Sequence, residues 1–564
     1  MRRALAILLL TVVPAMAADR WMRLTTPEFD LYTTSGQKRA ADTARLFEEV
    51  REFFLKASPL RSRGDAPLRI FLFDDAVEYR MFRPNGYAAA YYVATPASDY
   101  IVIGDRAQNN FGPAIHEYMH LIIRHSGLKL PTWLNEGWSD VFSTLRPMGK
   151  DAAVGDLLPD RMKTLMSEEW LDFNTLVSVD QKSPVFNEGA RVGIFYAESW
   201  ALAHMLFLSP EYKDNFGGFV TALSSGQNTA EAIQKAWGKT PDQVFKDLRG
   251  YFDRKRLTGV VFETRLAGSD EKFTTTPLAD FDSRLALADL LVAISKRTEA
   301  ESEYARLEAE RPDRADLNQS IGNLALWKKD LQQARQYFAK AFDEGDADPR
   351  LCFDLAVLER EAKAPPAKVI PMLERALKSK PEFTEARVQL GLEQIDARDF
   401  SAAIETLMSI PKITQQEAPP VYCGLAYART QTGDLEKAAD AAKACQKWAK
   451  TEAEIARAQR VTKFVEARSK PSAAVQAGEK IQRVTGLARG VQCSPEGNRL
   501  QITVGNRMLA FDLPEMAAVE MPAVSATPLT IGCGQLPPVR IGVEFAPPRS
   551  AMETSVGTVR RLEY

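Results

Sequence analysis

The run HEYMH, His116 to His120, holds two of the four histidines in a chain of 564 residues. On a helix, positions i and i+4 share a face, so both imidazoles can bind one Zn2+. Glu117 stands beside them, placed to act as general base toward a water nucleophile. Zinc catalysis also needs a third protein ligand and an open position. The run PTWLNEGWSD, Pro131 to Asp140, supplies a candidate in Glu136. Asp140 lies one turn further on, where a carboxylate can accept from the far nitrogen of a ligating histidine and orient the ring. The bland alternative is a chance pair of histidines and two carboxylates on ordinary helices.

Positioning these groups requires two helices in a folded scaffold. Asn109, Asn110 and Pro113 are helix-start residues, and nothing from Ala114 to Arg124 breaks a helix. Pro131 opens the second. Upstream, FDLYTTS (Phe29 to Ser35) and LRIFLFDD (Leu68 to Asp75) are β-rich runs, with a helical pattern from Arg39 to Leu55 between them. AAYYVA and DYIVIGD form a hairpin pattern, and Arg161 to about Asp253 is mainly helical. Strands first and helices later predict an α+β domain over residues 18–262.

HEYMH followed by a glutamate-bearing helix resembles the gluzincin metallopeptidases, which include thermolysin-like and aminopeptidase-like enzymes. WLNEGW resembles the aminopeptidase version of the second helix, and NEGWSD keeps the Asn-Glu…Ser-Asp spacing of the thermolysin type. FYAESWALAHML, Phe195 to Leu206, resembles a later helix of these families. The layout of residues 20–255 is most similar to bacterial peptidase-MA-like proteins. The resemblance implies one Zn2+ per chain on His116, His120 and Glu136, with Glu117 as base, and an amide substrate. It implies that Tyr196 donates to the oxyanion and that Asn135 holds the substrate backbone, with the peptide added as a strand along the edge of DYIVIGD. His204 rivals Tyr196 as donor, while Tyr118 and His125 leave the metal face. No Gly-Met-Glu-Asn motif precedes the first helix, which weakens recognition of a free N-terminus.

The rest of the chain adds three features. Arg2 and Arg3, an apolar run from Ala4 to Val13 and the small-residue pattern Ala15-Met16-Ala17 form an export signal over residues 1–17. That predicts a periplasmic or secreted protein with no membrane span after cleavage. Net charge is −2, with 72 basic and 74 acidic residues, so no basic excess points to nucleic acid. After a join at 263–281, residues 282–469 repeat. Ala300, Ala334, Val369, Ala403 and Ala438 recur every 34 or 35 positions, with Ala288, Gly322, Gly391 and Ala426 twelve before an anchor. Small residues at that period let paired helices approach closely, and the pattern resembles about five tetratricopeptide repeats. Such an array implies a protein partner in its groove. A second join, 470–484, leads to a small all-β domain over 485–564. Cys493 and Cys533 within it are a plausible disulfide in an oxidising compartment, and five cysteines leave at least one unpaired. Two functions follow: an exported zinc peptidase whose repeats recruit substrate or partner, or a scaffold with a vestigial peptidase-like domain.

Overall fold

The computed structural model describes residues 21–57, 67–84, 88–104, 111–180, 182–183, 191–253, 259–263, 273–469, 478–495, 497–514, 519, 531–548 and 555–563. The expected export signal, and Asn109 and Asn110, lie outside them. The chain divides into two compact units, residues 1–337 and 338–564.

The first unit is built on strands β1 (Met22–Thr25), β2 (Phe29–Thr33), β3 (Leu68–Leu72), β4 (Ala90–Ala94), β5 (Asp99–Ile103) and the short β9 (Thr276–Pro277), in the order β4-β5-β3-β2-β1-β9. β2, β3 and β5 are parallel, with Phe29 opposite Leu68 and Leu68 opposite Asp99. Helix α1 (Gly36–Ala57) makes the crossover from β2 to β3 that parallel pairing demands. Alternate residues face opposite sides of the sheet. Leu31, Ile70, Leu72, Ile101 and Ile103 join one core with α1 and α3 (Gly112–His125). Phe71, Phe73, Tyr100 and Val102 join a second core. That core includes Tyr79 and Phe82 of α2 (Ala76–Phe82) and Leu287 and Leu290 of α11 (Asp280–Ala293). The sheet is therefore buried on both faces, which explains its unbroken apolar runs. β9 falls within the join expected at 263–281, and α11 is the first helix of the repeat pattern; both are built into this unit.

After α3 come α4 (Thr132–Phe142), a three-stranded sheet of β6 (Arg146–Met148), β7 (Asp151–Val154) and β8 (Val260–Phe262), and the helices α5 (Pro159–Ser167), α6 (Phe173–Ser178), α7 (Val192–Leu208), α8 (Phe216–Ser224), α9 (Thr229–Trp237) and α10 (Pro241–Asp253). α7 is predominantly apolar and is buried on nearly every side among the others, Glu198, Ser199 and His204 included. No single described helix is long and apolar enough to cross a membrane.

A helical-repeat region runs from α11 through α12 (Arg297–Glu310), α13 (Ala315–Trp327), α14 (Leu331–Asp343), α15 (Pro349–Glu361), α16 (Pro366–Ser379), α17 (Thr384–Asp396), α18 (Phe400–Met408), α19 (Ala418–Thr432), α20 (Leu435–Trp448) and α21 (Glu452–Ser469). These are five pairs and one further helix. The anchors Ala300, Ala334, Val369, Ala403 and Ala438 are all fully buried, as the small-residue spacing requires. The backbone repeats too. The turn inside each pair contains a residue in the left-handed region: Ser295, Lys329, Lys363, Arg398 and Gly433. Of the two prolines in the divergent third repeat, Pro365 caps α16 and Pro366 begins it, where a missing N–H costs nothing.

In the second unit the last strands close on themselves. β10 (Gln482–Ser494) pairs with β14 (Arg540–Ala546) along its first half and β11 (Gly497–Val504) along its second. β11 continues to β12 (Arg507–Leu513), then to β15 (Thr558–Glu563) and back to β14. The result is a five-stranded barrel around Leu500, Ile502, Phe511, Val543 and Val559, with the short β13 (Gly534–Gln535) on its side. A bulge between Ala488 and Gly490 lets the long β10 serve both neighbours. Cys493 and Cys533 are bonded, as are Cys423 and Cys445, a pair not anticipated from the sequence; Cys352 is the free, buried thiol.

Candidate metal centre

α3 begins with Phe111 at its cap and Pro113 in its first turn. Ala114, Ile115, Tyr118, Met119, Leu121, Ile122 and Ile123 go into the core, which turns His116, Glu117 and His120 toward a cleft. Tyr118 leaves the metal face as expected and packs against Phe47. α4 crosses beside α3, with Trp133, Leu134, Trp138, Val141 and Phe142 buried, and presents Asn135 and Glu136 to the same cleft. The cleft has a volume of about 960 Å3 and is also lined by Leu157, Leu158, Pro159, Asp160 and Arg161, with Tyr196 from α7.

The helical spacing brings the predicted donors to one point. His116 Nε2 and His120 Nε2 are 3.1 Å apart. Glu136 Oε2 is 3.5 Å from the first and 3.7 Å from the second. Two metal bonds of about 2.05 Å at a tetrahedral angle put their donor atoms about 3.3 Å apart, so this set fits a zinc-sized ion. The remaining ring nitrogens are held in the way metal-ligating histidines require. His116 Nδ1 lies 2.9 Å from Asp140 Oδ1, and Asp140 Oδ2 accepts from Arg161 Nε at 2.7 Å. His120 Nδ1 lies 3.1 Å from Asn135 Oδ1 and 3.2 Å from Ser139 Oγ. Both Nδ1 atoms thus have acceptors, and both Nε2 atoms face each other and Glu136 Oε2. Asn135, expected to contact substrate, lines the cleft with its oxygen beside His120.

The electrostatics agree with a site built for a cation. Burial opposes the charged form of His116, but its contacts with Asp140 and Glu136 outweigh that and hold its pKa well above the ordinary value. His120 is pushed down by burial and by the charge on His116. Asp140 stays ionised: burial raises its pKa, but the bonds from His116 and Arg161 overcome this and lower it. Burial, opposed by His116 and reinforced by Glu136, raises Glu117 to about 7, near the value a general base needs at neutral pH. Glu117 Oε2 accepts the main-chain N–H of Tyr92 at 2.9 Å.

Tyr196 lines the cleft, and the guanidinium of Arg161 lies over its ring at 5.0 Å. Burial, with Glu136 nearby, keeps its hydroxyl protonated well above the usual range. His204 does not reach the cleft: its nitrogens contact Tyr251 Oη at 3.0 Å and Gly155 O at 2.9 Å, and burial lowers it to about 4. His125 pairs with Asp99 at 2.6 Å. DYIVIGD is not a sheet edge: β5 lies between β4 and β3, and among the described residues the outer edge beside α3 belongs to β4. The hairpin's second strand is drawn inward because it extends the parallel register of β3. Sequence reasoning missed Arg161 and Tyr92, which stand 21 residues after Asp140 and 25 before Glu117. Ser139 is inside the quoted motif, at i+3 from Glu136, and its role was legible there.

No protein-family model and no curated protein matches the chain. Among solved structures, YrrB, described as a tetratricopeptide protein with an unusual peptide-binding site, is 18% identical over 31% of this chain and 90% of its own, with a TM-score of 0.28. MamA from Desulfovibrio magneticus RS-1 is 17% identical over 28% of this chain and 85% of its own, with a TM-score of 0.24. A further MamA structure is 15% identical over 30% of this chain and 91% of its own, with a TM-score of 0.25. These likenesses each span less than a third of the chain. The helical repeats described above rest on their own helices and periodicity.

Proposed function

We propose that the first unit is a zinc-dependent peptidase and that His116, His120 and Glu136 hold the ion. The observation that carries this reading is the convergence of three candidate ligand atoms beside a half-buried carboxylate whose pKa is raised to about 7. When bound, zinc supplies Lewis acidity that activates water and polarises an amide carbonyl. Glu117 takes a proton from the attacking water and passes it to the leaving amine as the C–N bond breaks. Tyr196, protonated and at the cleft wall, donates a hydrogen bond to the oxyanion. Asp140, itself held by Arg161, orients His116, while Asn135 and Ser139 orient His120. A peptide pairing with the free edge of β4 would lie along the cleft, held by main-chain bonds that do not read side chains.

A second reading is a scaffold that acts through its helical repeats. The observation favouring it is the repeat array itself, with a cavity of about 230 Å3 between α12, α13 and α14, lined by Glu301, Tyr304, Glu308, Lys328 and Tyr337. An exported setting and a protein partner for the repeats belong to both readings as proposals.

One experiment separates them. Zinc content is measured in the wild type and in Glu117→Gln, and both are assayed on a quenched-fluorescence peptide library. The peptidase reading expects one zinc in each and cleavage by the wild type alone. Protein that takes up no zinc sinks it, and zinc-loaded protein that cleaves nothing favours the scaffold.

A further inference from the structure

Asp99 is the first residue of β5 and is fully buried. A carboxylate in that position costs several kcal/mol unless donors surround it, and three do. Tyr92 Oη donates at 2.7 Å, Arg124 Nη1 at 2.6 Å and His125 Nε2 at 2.6 Å. Arg124 Nη1 also donates to Tyr92 Oη at 3.1 Å. These donors come from β4 and from the last turn of α3, so the carboxylate ties the edge strand to the helix that carries the site. Tyr92 is the shared member. It gives its hydroxyl to Asp99 and its main-chain N–H to Glu117 Oε2.

We infer that Asp99 and Tyr92 are positioning residues for Glu117. The buried carboxylate anchors the tyrosine ring, the ring sets the height of β4 against α3, and the strand amide then fixes one oxygen of the base. Glu117 Oε1 has no partner among the described residues and is left to exchange a proton. Without the anchor, β4 is an edge strand supported on one side only, and edge strands are where sheets loosen first. The catalytic part of this inference rests on Glu117 being the base of the proposed peptidase.

The test has two readouts on the full-length protein. In the metal-free form, hydrogen exchange is followed at single-amide resolution in the wild type, Tyr92→Phe and Asp99→Asn. Tyr92→Phe deletes only the hydroxyl and tests the idea even if Asp99→Asn does not fold. The Tyr92 amide should exchange about five- to tenfold faster in the variant, the effect of weakening one hydrogen bond. Amides in the middle of β5 and α3 should keep their protection. In the zinc-loaded form, kcat on the library peptides should fall about tenfold in Tyr92→Phe with zinc content unchanged, since the metal donors and their hydrogen-bond partners are untouched. An unchanged Tyr92 amide overturns the inference whatever the activity, and leaves the peptidase reading standing. General loosening of β4, β5 and α3 also overturns it, because that marks a mere structural staple. Faster exchange in a protein that cleaves no peptide would uphold the positioning of Glu117 and reject the peptidase reading alone.

Discussion

Gly137 is a test of how the centre is supported. It lies in α4 between Glu136 and the pair Ser139 and Asp140, at the crossing with α7. A β-carbon built on it would stand 2.1 Å from the carbonyl oxygen of Ser199, 2.5 Å from that carbonyl carbon and 3.0 Å from Ala203 Cβ. Carbon and oxygen approach no closer than about 3.3 Å without strain, so Gly137→Ala must part the two helices by about 1 Å. The obstructing atoms are main chain and cannot rotate away. In an unobstructed helix this replacement stabilises by about 1 kcal/mol. Here the obstructing atoms put overpacking at the upper end of about 1–3 kcal/mol, so after that gain the expected outcome is a net loss of up to about 2 kcal/mol. The carboxylate of Glu136 moves with its helix, away from nitrogens that it now meets at 3.5 and 3.7 Å. Zinc affinity should fall by about tenfold or more, the range seen when the support of a ligand is disturbed. Urea unfolding of the metal-free protein and zinc competition titrations read the two effects. A variant about 1 kcal/mol more stable than the wild type, with unchanged affinity, would refute the backbone-to-backbone packing of α4 on α7.

Three further outcomes are expected. Glu198 is fully buried on α7 and accepts from Leu171 N–H at 2.6 Å, while its second oxygen has no partner among the described residues; burial raises it to about 8. The folded chain therefore keeps a proton that the unfolded chain releases above the ordinary carboxyl value of 4.5, so its stabilising effect is full at low pH and is lost as pH rises toward 8. Glu198→Gln should gain on the wild type by about 1 kcal/mol per pH unit across that window, and a pH-independent difference would contradict this. Arg398 sits at φ 63° in the position that Gly433 fills one repeat later; Arg398→Gly should raise the unfolding free energy by about 0.5–1 kcal/mol in urea, and a loss would show that its side chain matters more than its backbone. Cys493 and Cys533 close 40 residues of chain; the double serine variant should lower barrel stability by about 4 kcal/mol, and an unchanged thermal midpoint would mean that the thiols are not joined in solution.

What could be read in advance was whatever depends on short spacing. His116 and His120 share a face because four residues are about one helical turn, and Asp140 follows Glu136 by the same step. The repeats were legible because most of the helix pairs carry a small residue at the same crossing, so the pattern recurs every 34 or 35 positions. The barrel showed itself through alternation between turns. Nothing in that local grammar orders strands within a sheet. DYIVIGD has the apolar run of an edge or an interior strand alike, and only its pairing with β3 put it inside and left β4 at the edge. Arg161 reaches Asp140 from a helix whose own spacing carries no metal motif. Tyr92 meets Glu117 through a main-chain amide that every residue but proline possesses, so its identity gave no signal. Cys423 and Cys445 lie on the two helices of one repeat, close only because those helices pair. α11 belongs to the repeats by sequence and to the first unit by burial, since the apolar face of the sheet must be covered and this helix covers it. The convergence of the candidate ligands is thus a property of helical periodicity. Their orientation, the Tyr92 bond to Glu117 and the wall of the cleft are properties of contacts between segments far apart in the chain.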